Sequence, residues 1–274
     1  LGGAIGMTGT TGSSADIRRC SFTANFTQSV HSRDYGGGAL GFRSVPDINI
    51  EGCTFRTNFC RQSSGSGSHT GQPYPHGGTF YIYDSANARI SDCTVLGSWS
   101  SQYQSAQYNS FGGTAWFQSS TVAMNRVVVY GAGYNEYAAS TDVGGHVSGS
   151  IDVSGGALYM TNVLNGALYS GPALAAYDSA TVEAVNCTFA GARGLRNKPG
   201  YGYVQVKASA TFRNCIFWNN QAGDFQFVDG AQPVFDYCIT ETLRDGRGNT
   251  TNDPFFADEV YFHPQSKAGR YDGG

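Results

Sequence analysis

The chain has 274 residues, 38 of them glycine, with 14% aromatic and 14% charged side chains and a formal net charge of −3. Many aromatics with few charges is the opposite of a disordered composition, the glycines carry no three-residue collagen period, and no apolar run approaches the ~18 residues of a membrane span. No block of Lys or Arg marks a nucleic-acid footprint, and seven cysteines without a CxxC or His-rich partner motif do not read as a zinc site.

In chain order the sequence alternates two kinds of short strand. The first kind opens on two small residues, as in Gly2-Gly3-Ala4-Ile5. The second follows the pattern apolar, two residues, Cys, any residue, apolar, as in Ile17-Arg18-Arg19-Cys20-Ser21-Phe22. The pair recurs as Gly37-Gly38-Ala39-Leu40 with Ile50-Glu51-Gly52-Cys53-Thr54-Phe55, and as Gly77-Gly78-Thr79-Phe80 with Ile90-Ser91-Asp92-Cys93-Thr94-Val95. Gly112-Gly113-Thr114-Ala115 precedes a degenerate copy, Val122-Ala123-Met124-Asn125-Arg126-Val127, in which Asn125 stands for Cys. Gly155-Gly156-Ala157-Leu158 opens a further repeat over 155–169, and Gly171-Pro172-Ala173-Leu174 is a weaker copy. Three more cysteine strands follow: Ala184-Val185-Asn186-Cys187-Thr188-Phe189, Phe212-Arg213-Asn214-Cys215-Ile216-Phe217 and Phe235-Asp236-Tyr237-Cys238-Ile239-Thr240. Turns such as Asp84-Ser85-Ala86 and Asp178-Ser179-Ala180 separate the two strands of a repeat.

The marked positions 20, 53, 93, 125, 187, 215 and 238 are 33, 40, 32, 62, 28 and 23 residues apart, and the longest gap holds the repeat over 155–169. Such self-similarity is the signature of a stacked repeat architecture. No amphipathic helix interrupts it, so the expected class is all-β: a right-handed parallel β-helix, or solenoid, of about eight coils with long loops on one side. One domain is expected over 1–274, with clear repeats to 240 and a terminal coil and tail over 241–274. The start at Leu1, without an initiator Met or a signal-peptide pattern, leads us to expect a piece of a longer chain. Period-two alternation puts each Cys and the following apolar residue on one face. This predicts an interior ladder of Cys20, Cys53, Cys93, Cys187, Cys215 and Cys238, beside one of Phe22, Phe55, Phe189 and Phe217. The thiols pack as small hydrophobes, or join as disulfides between stacked coils, or serve metal or redox chemistry. Cys60 lies outside the ladder. Gly-Gly at each coil accounts for the glycines better than a phosphate loop does.

Long insertions recur at one point of the repeat: Arg61–His76, Gly97–Phe111, Gly131–Ser154 and Gly191–Gly200. Repeat insertions emerge on one side. They carry Tyr74, Trp99, Tyr103, Tyr108, Tyr134 and Tyr137 among Ser, Gln and Asn, a mixture suited to stacking on sugar rings; ordered polar loops are the plainer reading. Candidates for catalysis on these loops are Glu136, Asp142, His146, Arg193 and Lys198. A lyase would use a base and charge stabilisation by Arg or Ca²⁺, and a hydrolase two carboxylates. Asp84, Asp178 and Asp236 read as solvated turn residues. The sequons Asn25-Phe26-Thr27, Asn186-Cys187-Thr188 and Asn249-Thr250-Thr251 are expected by chance in a chain of this composition.

Gly2-Gly3-Ala4-Ile5 with Phe22-Thr23-Ala24-Asn25, Phe55-Arg56-Thr57-Asn58 and Phe217-Trp218-Asn219-Asn220 resembles the GGA[ILV] and FxxN repeats of chlamydial polymorphic outer-membrane proteins and adhesin-like β-helix proteins. The likeness spans most of 1–240, and the tail from Asp253 to Tyr271 is similar to a segment of large secreted bacterial β-helix proteins. The resemblance implies an extracellular or cell-surface protein used for adhesion, display or polysaccharide handling. The expected function is therefore a structural or adhesive module that binds a glycan or surface protein, with end-to-end self-assembly open. The alternative is a polysaccharide lyase or glycoside hydrolase with its site in a groove beside the insertions. No resident cofactor and no nucleic-acid partner are expected, with Ca²⁺ open only for a lyase.

Overall fold

The computed structural model describes residues 2–29, 36–62, 76–101, 112–134, 150–166, 172–191, 204–206, 209–220, 225–227, 232–256, 258 and 262. Among them every regular element is a strand and every strand pairing is parallel.

The first repeat runs through β1 (Ile5–Thr8), β2 (Ser14–Arg18), β3 (Ser21–Thr23) and β4 (Phe26–Ser29). The second holds β5 (Leu40–Arg43), β6 (Asp47–Glu51), β7 (Thr54–Arg56) and β8 (Phe59–Gln62), and the third β9 (Phe80–Tyr83), β10 (Asn87–Ser91), β11 (Thr94–Leu96) and β12 (Trp99–Ser101). In the fourth, β13 (Ala115–Asn125) fuses the first two strands and is followed by β14 (Val128–Tyr130) and β15 (Gly133–Tyr134); in the fifth, β16 (Ile151–Thr161) does the same before β17 (Leu164–Gly166). The last three are β18 (Leu174–Tyr177), β19 (Thr181–Val185) and β20 (Thr188–Ala190), then β21 (Val204–Val206), β22 (Ser209–Arg213) and β23 (Ile216–Trp218), then β24 (Phe225–Phe227), β25 (Val234–Asp236) and β26 (Ile239–Thr240).

Each strand pairs with its counterpart in the next repeat. One ladder runs β1-β5-β9-β13-β16-β18-β21-β24; a second, joined to it through the long β13 and β16, takes β2, β6, β10, β19, β22 and β25 into the same 14-stranded sheet. The third-position strands form an 8-stranded sheet, and β4, β8, β12 and β15 form a 4-stranded sheet. Each rung advances about 4.8 Å.

In-register pairing turns the sequence repeat into columns of like side chains. Ile17, Ile50, Ile90, Met124, Met160, Ala184, Phe212 and Phe235 form one buried column. Phe22, Phe55, Val95, Val129, Asn165, Phe189, Phe217 and Thr240 form another. Phe22 stacks on Phe55 at 5.0 Å and Phe189 on Phe217 at 4.9 Å. Each buried aliphatic or aromatic side chain contributes roughly 1.5–3 kcal/mol of transfer free energy.

The corner ahead of each cysteine position is left-handed. Arg19, Gly52, Asp92, Arg126, Asn162, Asn186, Asn214 and Tyr237 all have φ between 51° and 65°. That single residue resets the in–out alternation: Ile17 points inward, Arg18 outward, Arg19 turns, and Cys20 begins the next face. The cysteine strand read as one element is therefore two strands meeting at a corner, with Cys and Phe inward on the second.

Register moves two sequence assignments. Ser91 lies opposite Asn125, and Val128 N donates to Cys93 O, so Val127 and not Asn125 occupies the cysteine position. Val163 fills it in the next repeat, since Leu164 N donates to Val127 O. The column is thus 20, 53, 93, 127, 163, 187, 215 and 238, with Val, close to Cys in size, replacing it twice. Gly155-Gly156 also belongs elsewhere: Gly156 lies opposite Ser120, at the corner between the first and second ladders, and the strand aligned with Ala115 begins at Ile151.

All seven cysteines are free; Cys20, in the first rung, is exposed and the other six are buried. Cys215 is pushed well up by burial and by the thiols of Cys187 and Cys238 beside it, while the hydrogen bond from Cys215 lowers each of those two. At the other end the stretch from Tyr237 to Thr240 in the last rung is covered. Thr250 N donates to Cys238 O, Tyr237 N to Arg247 O, and Asn249 Oδ1 accepts Cys238 N at 2.8 Å, so residues 247–250 supply the partners a ninth rung would.

Candidate ligand-binding face

The 4-stranded sheet carries Phe26, Phe59 and Trp99 outward. Ala24, Thr57 and Gly97 are left-handed corners (φ 54°, 50° and 65°) that end the third-position strands. The next residue turns inward: Asn58 Nδ2 donates to Phe22 O at 2.9 Å, and Asn58 Oδ1 accepts both N and Nδ2 of Asn25 at 3.0 Å. Ser98, at the same position, instead hydrogen-bonds through its hydroxyl with Thr79 Oγ1 at 2.5 Å. The residue after that, Phe26, Phe59 or Trp99, faces out.

Phe26 lies opposite Phe59, and Phe59 opposite Trp99. Their rings are stacked, with centroids 5.3 and 5.2 Å apart and interplanar angles of 11° and 29°. Rings this nearly parallel would touch face to face at ~3.5–4 Å, so the longer separation means that they are slipped like shingles, each presenting part of a face. Phe26 is 52% and Trp99 42% exposed, with Phe59 half-buried between them. In the next repeat Gly133 stands opposite Trp99 and offers no ring to continue the stack. One row further along, Gln28 lies opposite Arg61, and both are exposed.

The Gly-Gly motif backs this strip. A Cβ on Gly78 would sit 2.4 Å from Trp99 O and 2.2 Å from Gly113 O; one on Gly38 would sit 2.5 Å from Phe59 N. The glycines let the first ladder press backbone to backbone against the strands that display the aromatics. Beneath the strip, Thr27 Oγ1 donates to Gly37 O at 2.8 Å, and burial pushes the Cys60 thiol up to about 12, which leaves it an unreactive filler.

Of the aromatic residues singled out in the sequence, Trp99 is on this face, on a strand and not in a loop. Tyr134 is in β15, where only the backbone is described. Tyr74, Tyr103, Tyr108 and Tyr137, and the catalytic candidates Glu136, Asp142, His146, Arg193 and Lys198, lie outside the described residues. Phe26 and Phe59 were not singled out, although a signal exists: each stands four residues after the ladder residue Phe22 or Phe55, as Trp99 does after Val95.

A second aromatic group is core. Tyr81, Trp116 and Tyr177 are buried on the outward side of the first ladder, with His76 stacked on Trp116 at 4.9 Å and the buried Asp152 accepting Gly112 N at 2.7 Å. Among the described residues no group of three or more His, Cys, Asp or Glu side chains is arranged to hold a metal ion, and no helix is long and apolar enough to cross a membrane. Asp84 and Asp178 are exposed corner residues that accept Ser44 Oγ at 2.9 Å and Ser154 Oγ at 2.6 Å. No protein-family model, curated protein or solved structure matches this chain.

Proposed function

We propose that the chain is a right-handed parallel β-helix that serves as a surface-displayed or secreted adhesive module and binds a glycan through the Phe26–Phe59–Trp99 strip. The recurrence of strands in one order through eight successive repeats supports the solenoid. Crossovers between parallel strands of one sheet are right-handed in about 98% of cases, which supports the hand. The GGA[ILV] and FxxN repeats support the surface role by resemblance to polymorphic outer-membrane proteins.

The observation that carries the binding reading is the strip itself. Three slipped rings form an apolar track along the stacking direction, and monomeric surfaces seldom leave large aromatics contiguous without use. An extended polysaccharide rises per sugar by close to one strand spacing, so successive sugars meet successive rings. Gln28, one row along, offers a donor to hydroxyls.

Gel-affinity electrophoresis against xylan, galactomannan, mixed-linkage glucan and alginate tests this reading. Wild-type chain should be retarded by at least one polysaccharide, and Phe26→Ala/Trp99→Ala should lose about tenfold or more in affinity while keeping its circular dichroism. Equal retardation of the two proteins would reject the strip as the site.

A further inference from the structure

We infer that the strip selects anionic glycans, the acid group being read by Arg56 and Arg61; this rests on the glycan reading above. The third- and fourth-position strands and corners of the first three repeats cover residues 21–29, 54–62 and 94–101. Their charged residues are Arg56 and Arg61, without one carboxylate. This local excess of positive charge sits in a chain whose net charge is −3. The described acids of these repeats are placed elsewhere: Asp16, Asp47 and Glu51 on the second ladder, and Asp84 and Asp92 at corners.

Both arginines belong to the repeat whose ring is the middle one. Arg61 follows Phe59 by two residues on β8 and so shares its outward side, while Arg56 ends β7 just before the Thr57 corner. The two guanidinium groups therefore bracket Phe59 along the chain, and both are exposed. Arg56 makes no ion pair among the described residues, whereas the outward Arg18 on the second ladder lies 2.8 Å from Asp16 and 3.6 Å from Glu51. A sugar stacked on Phe59 would hold an acid substituent between two cationic forks, whose planar geometry matches a carboxylate or sulfate.

Four probes separate the sources of binding: alginate as a carboxylate glycan, dextran sulfate as a sulfated one, neutral dextran with xylan, and polyglutamate as a polyanion without sugar. Gel-affinity electrophoresis at low and high salt would compare wild-type chain, Arg56→Gln/Arg61→Gln and Phe26→Ala/Trp99→Ala. The inference expects tighter binding to alginate or dextran sulfate than to the neutral glycans. It expects about tenfold loss of that binding in the arginine variant or at high salt, unchanged neutral-glycan binding in that variant, and loss of both in the aromatic variant. Equal affinity for acidic and neutral glycans, insensitive to salt and to the arginines, would overturn the inference and leave the glycan reading standing. Polyglutamate held as tightly as alginate, with the aromatics immaterial, would reduce the effect to ion exchange and overturn it as well. No retention by any glycan would remove both.

Discussion

Asn165 occupies the column otherwise filled by Phe22, Phe55, Val95, Val129, Phe189, Phe217 and Thr240, fully buried. Its Nδ2 donates to Ala173 O at 2.7 Å, while its Oδ1 has no partner among the described residues. Replacing it with Val tests the column directly, because Val already sits in this register at Val95 and Val129. The lost Nδ2 bond costs about 1 kcal/mol, but Ala173 O keeps the bond from Ile151 N at 3.1 Å and is not orphaned. Removing a buried unsatisfied oxygen returns about 1–3 kcal/mol, and the added methyl packing is favourable on top of that. The net expectation for Asn165→Val is stabilisation of about 1–2 kcal/mol. Urea unfolding followed by circular dichroism would show it as a higher midpoint at unchanged slope. Destabilisation by about 1 kcal/mol or more would refute the placement of Asn165 inward among the aromatics.

Gly78→Ala should prevent folding or cost more than about 3 kcal/mol, since its Cβ would meet two backbone oxygens; Gly97→Ala, where the nearest atom is 3.6 Å away, should cost only the ~1–2 kcal/mol of left-handed backbone, and unfolding midpoints compare the two. Thiol labelling of the native chain should modify the exposed Cys20 first and the six buried cysteines only on unfolding, because burial keeps the reagent from them; mass spectrometry of labelled peptides reads this out. The Arg126 guanidinium, 2.5 and 2.7 Å from the two oxygens of Asp92, holds that carboxyl below its ordinary value. A depressed folded pKa stabilises above the unfolded value, so the small loss of stability in Arg126→Gln at neutral pH should fade as pH falls through and below ~3.9. Urea midpoints of the two proteins across pH follow that difference.

The repeat was legible because stacked in-register strands demand the same kind of side chain at each rung, so burial writes its period into the sequence at every Cys and Phe. Asn125 was misplaced because the motif was anchored on cysteine as a letter. The interior asks only for a small apolar group after a left-handed corner, and Arg126-Val127 satisfies it as Arg19-Cys20 does. Gly155-Gly156 misled for a related reason, since two different corners of the repeat require glycine-compatible backbone. The candidate strip was only partly legible. Trp99 stood out, but Phe26 and Phe59 looked like ordinary strand aromatics until the corners at Ala24 and Thr57 reversed which face they show. Alternation counted through those corners puts them on the wrong side.

Trp99 gives the most direct test of the strip. The chain labelled with 5-fluorotryptophan should show three ¹⁹F resonances, from Trp99, Trp116 and Trp218, assigned with Trp→Phe variants. Titration with alginate and xylan oligosaccharides should move the Trp99 resonance and leave Trp116 in place. An oligosaccharide that binds by calorimetry while the Trp99 resonance stays still would contradict the account.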